Sequence, residues 1–292
     1  MSLTFSPICL GTSTFGREID QTAAFALMDH AAARGITVFD TAALYADGES
    51  ERIVGAWLAS RQTAPGAPAI ATKIYPPYTP DAIRSAVTAS LERLGRPSVD
   101  LLYLHKWDPS VEDTSGLTAL HELVVAGTVG ALGASNFDAA QLQAALALQH
   151  AHQLTPFSVL QNNHNFAVRH VDRPLIDLCA QHGIALVTYS PLGAGFLTGK
   201  HRQGVAAGSR FAVSPAHQDI YFNDRALARL DQLDAVAQRH DVPLVRLALA
   251  WALHRPGITS VLVGGRHTGH LDQAFAALAF DDPAVWRELD SV

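Results

Sequence analysis

Leu101-Leu102-Tyr103-Leu104-His105 is a short apolar run closed by an ionisable residue, and the same arrangement occurs twice upstream. Ile36-Thr37-Val38-Phe39 ends at Asp40, and Ala69-Ile70-Ala71-Thr72 ends at Lys73. Runs of this length read as buried strands of a parallel sheet. Tyr45 lies in the loop that follows the Asp40 run. Further runs occur at Ile8-Cys9-Leu10, Val129 to Ala134, Phe157 to Leu160, Ile184 to Thr188 and Ile258 to Val263, making eight strand candidates in all. Amphipathic stretches separate them. In Asp81 to Leu94, the residues Ile83, Val87, Leu91 and Leu94 recur at helical spacing, with Thr79-Pro80 as a start signal and Gly95 as a stop. Asp20 opens a similar helix with Phe25, Met28 and Ala32 on one face.

Strand followed by helix throughout implies a parallel α/β sheet, and eight units favour a closed (β/α)8 TIM barrel over an open doubly wound sheet. The length of 292 residues suits one such barrel, so a single domain spanning 1–292 is expected. A hydrophobic fraction of 48% and a charged fraction of 16% can fill its core. The longest departure from the rhythm is His201 to Phe222, with Gly204, Gly208 and Pro215, which predicts a long loop after strand 7 that acts as a lid or mobile segment. Two helical patterns follow, Asp224 to Arg239 and Pro243 to His254, so one helix is extra to eight simple units. In a barrel the carboxyl ends of the strands share one rim, where Asp40, Tyr45, Lys73 and His105 would meet.

A formal charge of −6 and the lack of a basic stripe argue against nucleic acid as a partner. Cys9 and Cys179 lie far apart and read as two reduced, buried thiols of a cytoplasmic protein. Met1-Ser2-Leu3-Thr4 opens without a basic segment, and no run of about 18 apolar residues follows, so neither an export signal nor a membrane span is expected. His150 and His152 close a helical pattern at a spacing that parts their rings, and His164 and His170 lack a carboxylate cluster. No metal site is expected.

Taken singly, the four rim residues have ordinary readings: a loop tyrosine, a solvated lysine, a core histidine and a helix-capping aspartate. Together they form a proton-transfer set. Reducing a carbonyl by hydride transfer builds negative charge on oxygen, which calls for a proton donor there. A tyrosine beside an ammonium becomes a better acid, Lys73 would supply that ammonium, and Asp40 would keep it charged. His105 would orient the carbonyl by a hydrogen bond.

This arrangement resembles the Asp, Tyr, Lys, His tetrad of the aldo-keto reductases, and the resemblance runs along nearly the whole chain. Gly11-Thr12-Ser13-Thr14-Phe15-Gly16 is similar to that family's opening strand and loop, and Phe39-Asp40-Thr41-Ala42 with Tyr45 and Gly48-Glu49-Ser50-Glu51 to its second-strand signature. Within Gly133-Ala134-Ser135-Asn136-Phe137, the resemblance makes Ser135 and Asn136 ligands of a nicotinamide carboxamide, with Gln161 on the same amide. Tyr189-Ser190-Pro191-Leu192-Gly193 resembles the stretch whose tyrosine stacks on the nicotinamide and whose backbone, at Ser190, Leu192 and Gly193, approaches the pyrophosphate. From below, Ser135, Asn136 and Gln161 offer groups that satisfy an amide, Tyr189 offers a flat face, and Gly193 and Gly195 permit close approach to an anion. Their plain readings are a helix cap, a core glutamine and turn glycines.

The last strand end departs from the family. In Gly264-Gly265-Arg266-His267-Thr268-Gly269-His270-Leu271-Asp272-Gln273-Ala274, Gly264 and Arg266 match, whereas His270 and Ala274 replace a Gln or Arg and an Asn. Arg266 suits a 2′-phosphate, which points to NADP, with NAD as the alternative. The resemblance implies an NAD(P)-dependent oxidoreductase in which Tyr45 is the acid, Lys73 and Asp40 tune it and His105 orients a small carbonyl or sugar-like substrate. Phe15, Trp107 and Phe222 are the aromatic candidates around that substrate. The alternative is a barrel-fold regulatory protein that holds the dinucleotide with little turnover, like the barrel subunits of some channels. A metal-dependent barrel hydrolase is a further rival.

Overall fold

The computed structural model describes residues 3–61 and 67–290. Its strands, β1 (Ile8–Gly11), β2 (Val38–Asp40), β3 (Ala69–Ile74), β4 (Leu101–Leu104), β5 (Leu132–Ser135), β6 (Phe157–Asn163), β7 (Ala185–Tyr189) and β8 (Ser260–Val263), close into a parallel barrel in chain order. Alternation along each strand decides which side chain faces the axis. Cys9, Val38, Ala71, Leu101, Tyr103, Val159, Val187 and Leu262 form an inner cluster that fills the barrel. The other face of the strands packs against the helices in a second, larger core that includes Leu10, Phe39, Ile70, Leu102, Leu104 and Leu160.

The inner cluster fixes the site. Two positions beyond Val38, Ala71, Tyr103, Val159 and Val187 stand Asp40, Lys73, His105, Gln161 and Tyr189, each the next inward residue on its strand or just past it. The register keeps these ends level, with Asp40 opposite Ala71, Lys73 opposite Tyr103 and Ser135 opposite Gln161.

The barrel helices are α1 (Gln21–Ala33), α2 (Glu49–Ser60), α3 (Pro80–Leu94), α4 (Thr114–Val125), α5 (Ala139–Ala151) and α6 (Arg173–His182). Their ends follow local chemistry. The Asp20 carboxylate accepts from the Ala23 amide at 2.9 Å to start α1, and Gly95 ends α3 at φ 61°, a conformation that favours glycine. The segment expected as a loop after strand 7 carries two short helices, α7 (Arg210–Val213) and α8 (Gln218–Tyr221). Phe211 and Tyr221 are buried there, which gives the segment its own small core. The expected extra helix is α9 (Asp224–Arg239), followed by α10 (Leu244–Leu253), α11 (Thr268–Leu278) and α12 (Pro283–Leu289). The last of these was not anticipated, although Asp282 caps it through the Ala284 and Val285 amides.

Two strand bounds differ from the sequence reading by three residues, and the others by two or fewer. β5 begins at Leu132, because Val129 makes only an isolated bridge to Val99 and Gly130 sits tight against the Asp100 carbonyl. β6 runs on to Asn163, since Gln161 and Asn162 keep pairing with β7 despite being polar. Both cysteines are free and buried. Among the described residues, no helix is long and apolar enough to cross a membrane.

Candidate active site

A cleft of about 870 Å³ opens at the carboxyl ends of the strands, lined among others by Asp40, Tyr45, His105, Gln161 and Tyr189. At its floor, Lys73 and Asp40 form a buried ion pair. The Lys73 ammonium also donates to the Thr41 carbonyl at 2.9 Å and to the Tyr45 hydroxyl at 3.4 Å. Gln161 donates from Nε2 to the second Asp40 oxygen at 2.9 Å. Burial pulls the Lys73 pKa down, but the Asp40 carboxylate and then Tyr45 together outweigh it and hold the ammonium above its ordinary pKa. Burial pushes the Asp40 carboxyl up, opposed by Lys73 and then Gln161. The pair is ionic because each charge is met by the other and by further donors or acceptors.

Tyr45 differs from the sequence expectation in one respect. Burial raises its pKa, and the nearby Lys73 charge lowers it by less, so the net direction is upward. The phenol therefore keeps its proton at neutral pH, which is the state an acid must hold before reaction. His105 lies beside it with ring centroids 5.9 Å apart, edge to face. Burial, and then the Lys73 charge, push the imidazole down to about 3. At pH 7 only roughly one molecule in ten thousand then carries a His105 imidazolium. His105 is thus a neutral imidazole beside a protonated Tyr45 phenol.

Beside the tetrad, the Tyr189 hydroxyl donates to Asn136 Oδ1 at 2.7 Å, and Asn136 Nδ2 donates to the His105 carbonyl at 2.9 Å. Ser135 is buried and accepts from Asn136 at 3.1 Å. These residues and Gln161 gather at the cleft, but their amides already serve one another and Asp40. Ser190, Leu192, Gly264 and Arg266 line it too, whereas Gly193 does not. A Cβ on Gly193 would meet the Tyr221 ring at 2.7 Å, so that glycine makes room for the lid rather than for a ligand. At Gly195, with φ 96°, a Cβ would sit 3.2 Å from Lys200 Nζ, so here the missing side chain leaves the cleft open beside an ammonium.

The lid closes one side of the cleft. Arg210 on α7 donates to Glu18, in the loop after β1, at 2.7 Å, and Arg266 donates to the Gly208 carbonyl at 2.8 Å. Lys200, Arg210, Arg266, His267 and His270 all line the same space. Sequence reading missed Lys200 and Arg210, since isolated cations in a long segment carry no signal of what they face.

The three aromatic candidates for substrate contact lie elsewhere. Phe15 is fully buried under the β1 loop. Trp107 lines a separate small groove with Val111 and Leu148, because the chain turns outward after His105. Phe222 packs on Phe196 and Phe211 within the lid core. Leu44 lines the cleft next to Tyr45, and Tyr75 stands with its ring 6.0 Å from that of His105. They are 55% and 47% exposed, large apolar surfaces left open beside the tetrad.

The family model for the aldo/keto reductases matches residues 7–292. The chain belongs to the aldo/keto reductase family. Relatives include norsolorinic acid reductase B of Aspergillus parasiticus, 33% identical over 92% of this chain and 76% of that protein. Norsolorinic acid reductase of Aspergillus flavus is 31% identical over 94% of this chain and 74% of its own length. A probable voltage-gated potassium channel subunit beta of Arabidopsis thaliana is 30% identical over 91% of this chain and 84% of that protein. This aldo/keto reductase is an NAD(P)-dependent oxidoreductase, and its cleft fits a nicotinamide dinucleotide in chemistry: an aromatic face at Tyr189, amides beside Tyr45 and His105, and cations at Lys200, Arg210 and Arg266.

Proposed function

We propose that this aldo/keto reductase reduces small aldehydes and ketones with NADPH, NADH being the alternative, and that Tyr45, Lys73, Asp40 and His105 perform the proton chemistry. The observation that carries the reading is the buried Lys73–Asp40 pair beneath Tyr45, beside a neutral His105, at the floor of an open cleft. When bound, the dinucleotide supplies the hydride. His105 donates a hydrogen bond to the carbonyl oxygen and fixes its direction. As charge grows on that oxygen, Tyr45 gives up its proton, and the Lys73 ammonium at 3.4 Å stabilises the phenolate left behind. Asp40 remains ionised and holds Lys73 in place. In the oxidative direction Tyr45 is the base, but its upward pKa favours reduction near neutral pH.

Tyr189, Ser135 and Asn136 cradle the nicotinamide in this reading, with Gln161 beneath them, while Ser190, Leu192, Gly264, Lys200, Arg210 and Arg266 meet the phosphates. Leu44 and Tyr75 form the apolar wall for the substrate. A cytoplasmic location agrees with two buried free thiols. Purified protein should oxidise NADPH when offered a panel of reactive aldehydes, with no loss of rate in chelator. Tight dinucleotide binding without turnover on any carbonyl would favour the regulatory-barrel alternative instead.

A further inference from the structure

Tyr45 stands at the head of a strained turn. Ala46 and Asp47 follow it at φ 49° and 52° and Gly48 at φ 83°, so three successive residues are left-handed, two of them carrying a Cβ. Such a turn keeps its shape only where the surrounding structure holds its ends. Gly48 caps α2 without a side-chain bond. The residues that hold the turn come next, Ser50 and Glu51, both fully buried in the first turn of α2.

Ser50 is the hub of three buried hydroxyls. Its Oγ lies 2.9 Å from Thr41 Oγ1 just past β2, 2.7 Å from Thr12 Oγ1 just past β1 and 3.1 Å from the Thr12 carbonyl. Thr12 Oγ1 donates to the Asp40 carbonyl at 3.0 Å, which commits its single hydrogen. The hydrogens therefore run one way, from Thr41 to Ser50, from Ser50 to Thr12 and from Thr12 to Asp40. All three side chains are closed to water, so a broken link leaves a buried hydroxyl without a partner. The Thr41–Ser50 link also closes the loop 41–50 that carries Tyr45.

Glu51 anchors the same helix start from the other side. Its carboxylate accepts from Thr72 Oγ1, one residue before Lys73, at 2.5 Å and from Arg93 Nε on α3 at 2.6 Å. Arg93 passes so close to the turn that a Cβ on Gly48 would meet its Cδ at 2.5 Å. Thr41 joins this scaffold to the chemistry: its hydroxyl meets Ser50, and its carbonyl accepts from Lys73 Nζ at 2.9 Å. Neither Thr41 nor Ser50 lines the cleft.

We propose that Ser50 and Thr41 are positioning residues, which hold the loop 41–50 so that the Tyr45 hydroxyl stays over the Lys73 ammonium during reduction. This rests on the reading of Tyr45 as the acid. At 3.4 Å the Lys73–Tyr45 contact is near the outer limit of a hydrogen bond, so a small shift of the loop weakens the hold of the ammonium on the growing phenolate charge.

The test is single-turnover reduction of a reactive aldehyde by the NADPH-bound enzyme, with KM for the aldehyde and Kd for NADPH measured beside it. Thr41→Val keeps the shape and the carbonyl but removes the hydroxyl. It should slow reduction roughly three- to tenfold, the factor of one neutral hydrogen bond, with KM and Kd little changed. Thr41→Ser retains the hydroxyl and should retain the wild-type rate. Ser50→Ala should slow the same step, and adding it to Thr41→Val should slow it little further, since both break one chain. In a Lys73→Met background the Thr41→Val effect should vanish, because the ammonium served by the loop is gone. Equal slowing by Thr41→Val in that background, or a loss confined to KM or Kd, would show general loosening of the fold and overturn the proposal alone, as would a wild-type rate in Thr41→Val. A near-normal rate in Tyr45→Phe would overturn the acid assignment, and the proposal with it.

Discussion

Single atoms decide the chemistry at the floor of the cleft. Lys73 is buried, and a lone ammonium there would lose its proton, so the adjacent Asp40 oxygen is a condition of its charge. Tyr45→Phe keeps the ring but removes the transferable proton, and should lower carbonyl reduction by roughly 10²- to 10⁴-fold, measured in single turnover. Dinucleotide affinity should change little. Lys73→Met should also slow the chemical step, and the double variant should fall well short of the product of the two effects, since both act on one proton. Near-normal single-turnover rates in Tyr45→Phe would rule this tyrosine out as the acid.

At the scale of elements, the lid is held by few bonds. Its own core of Phe196, Phe211, Tyr221 and Phe222 gives it shape, and Tyr221 reaches Asn165 Nδ2 at 3.1 Å and Asn163 Nδ2 at 3.2 Å on the barrel. Across the cleft, Glu18 is 4% exposed and gathers both Arg17 and Arg210. Glu18→Gln keeps the shape but removes the charge that draws these guanidiniums together. It should speed NADPH release roughly five- to tenfold, the effect of weakening one charged hydrogen bond. Stopped-flow release and faster hydrogen exchange across 199–222 would register it, and an unchanged release rate would show that the lid is held by its aromatic core instead.

For the whole molecule, buried histidines set the acid limit of stability. His105 is pushed down to about 3, and His164, stacked on Trp251 at 5.3 Å with arginines nearby, to about 4 by burial first and then by the Arg169 charge. Both bind protons less readily folded than unfolded, where histidine titrates near about 6.5. The unfolded chain therefore gains protons first, and stability present above about pH 6.5 is lost as pH falls towards 4. His164 alone contributes on the order of 3 kcal/mol to that loss by pH 4. Thermal unfolding should show a falling Tm across this window and a shallower fall in His164→Gln. A Tm that stays level from pH 6.5 down to 5 would contradict the account.

Much of this was legible in the chain itself. Short apolar runs in regular alternation with amphipathic stretches specify eight strand–helix units, and an ionisable residue at the end of such a run, as at Asp40, Lys73 and His105, marks which side chain emerges on the rim. These are local properties, set by backbone geometry within a few residues. What faces what across the barrel is not local. That Gln161 serves Asp40, that Gly193 yields to Tyr221, that Trp107 turns away while Leu44 and Tyr75 stay open, and that Lys200 and Arg210 join Arg266 depend on closure of the barrel and on the path of the lid. A lysine in a long segment carries the same charge wherever it points. Only the packing of that segment against the loops after β1 and β8 determines that its charge, with two histidines at the start of α11, is directed into the cleft.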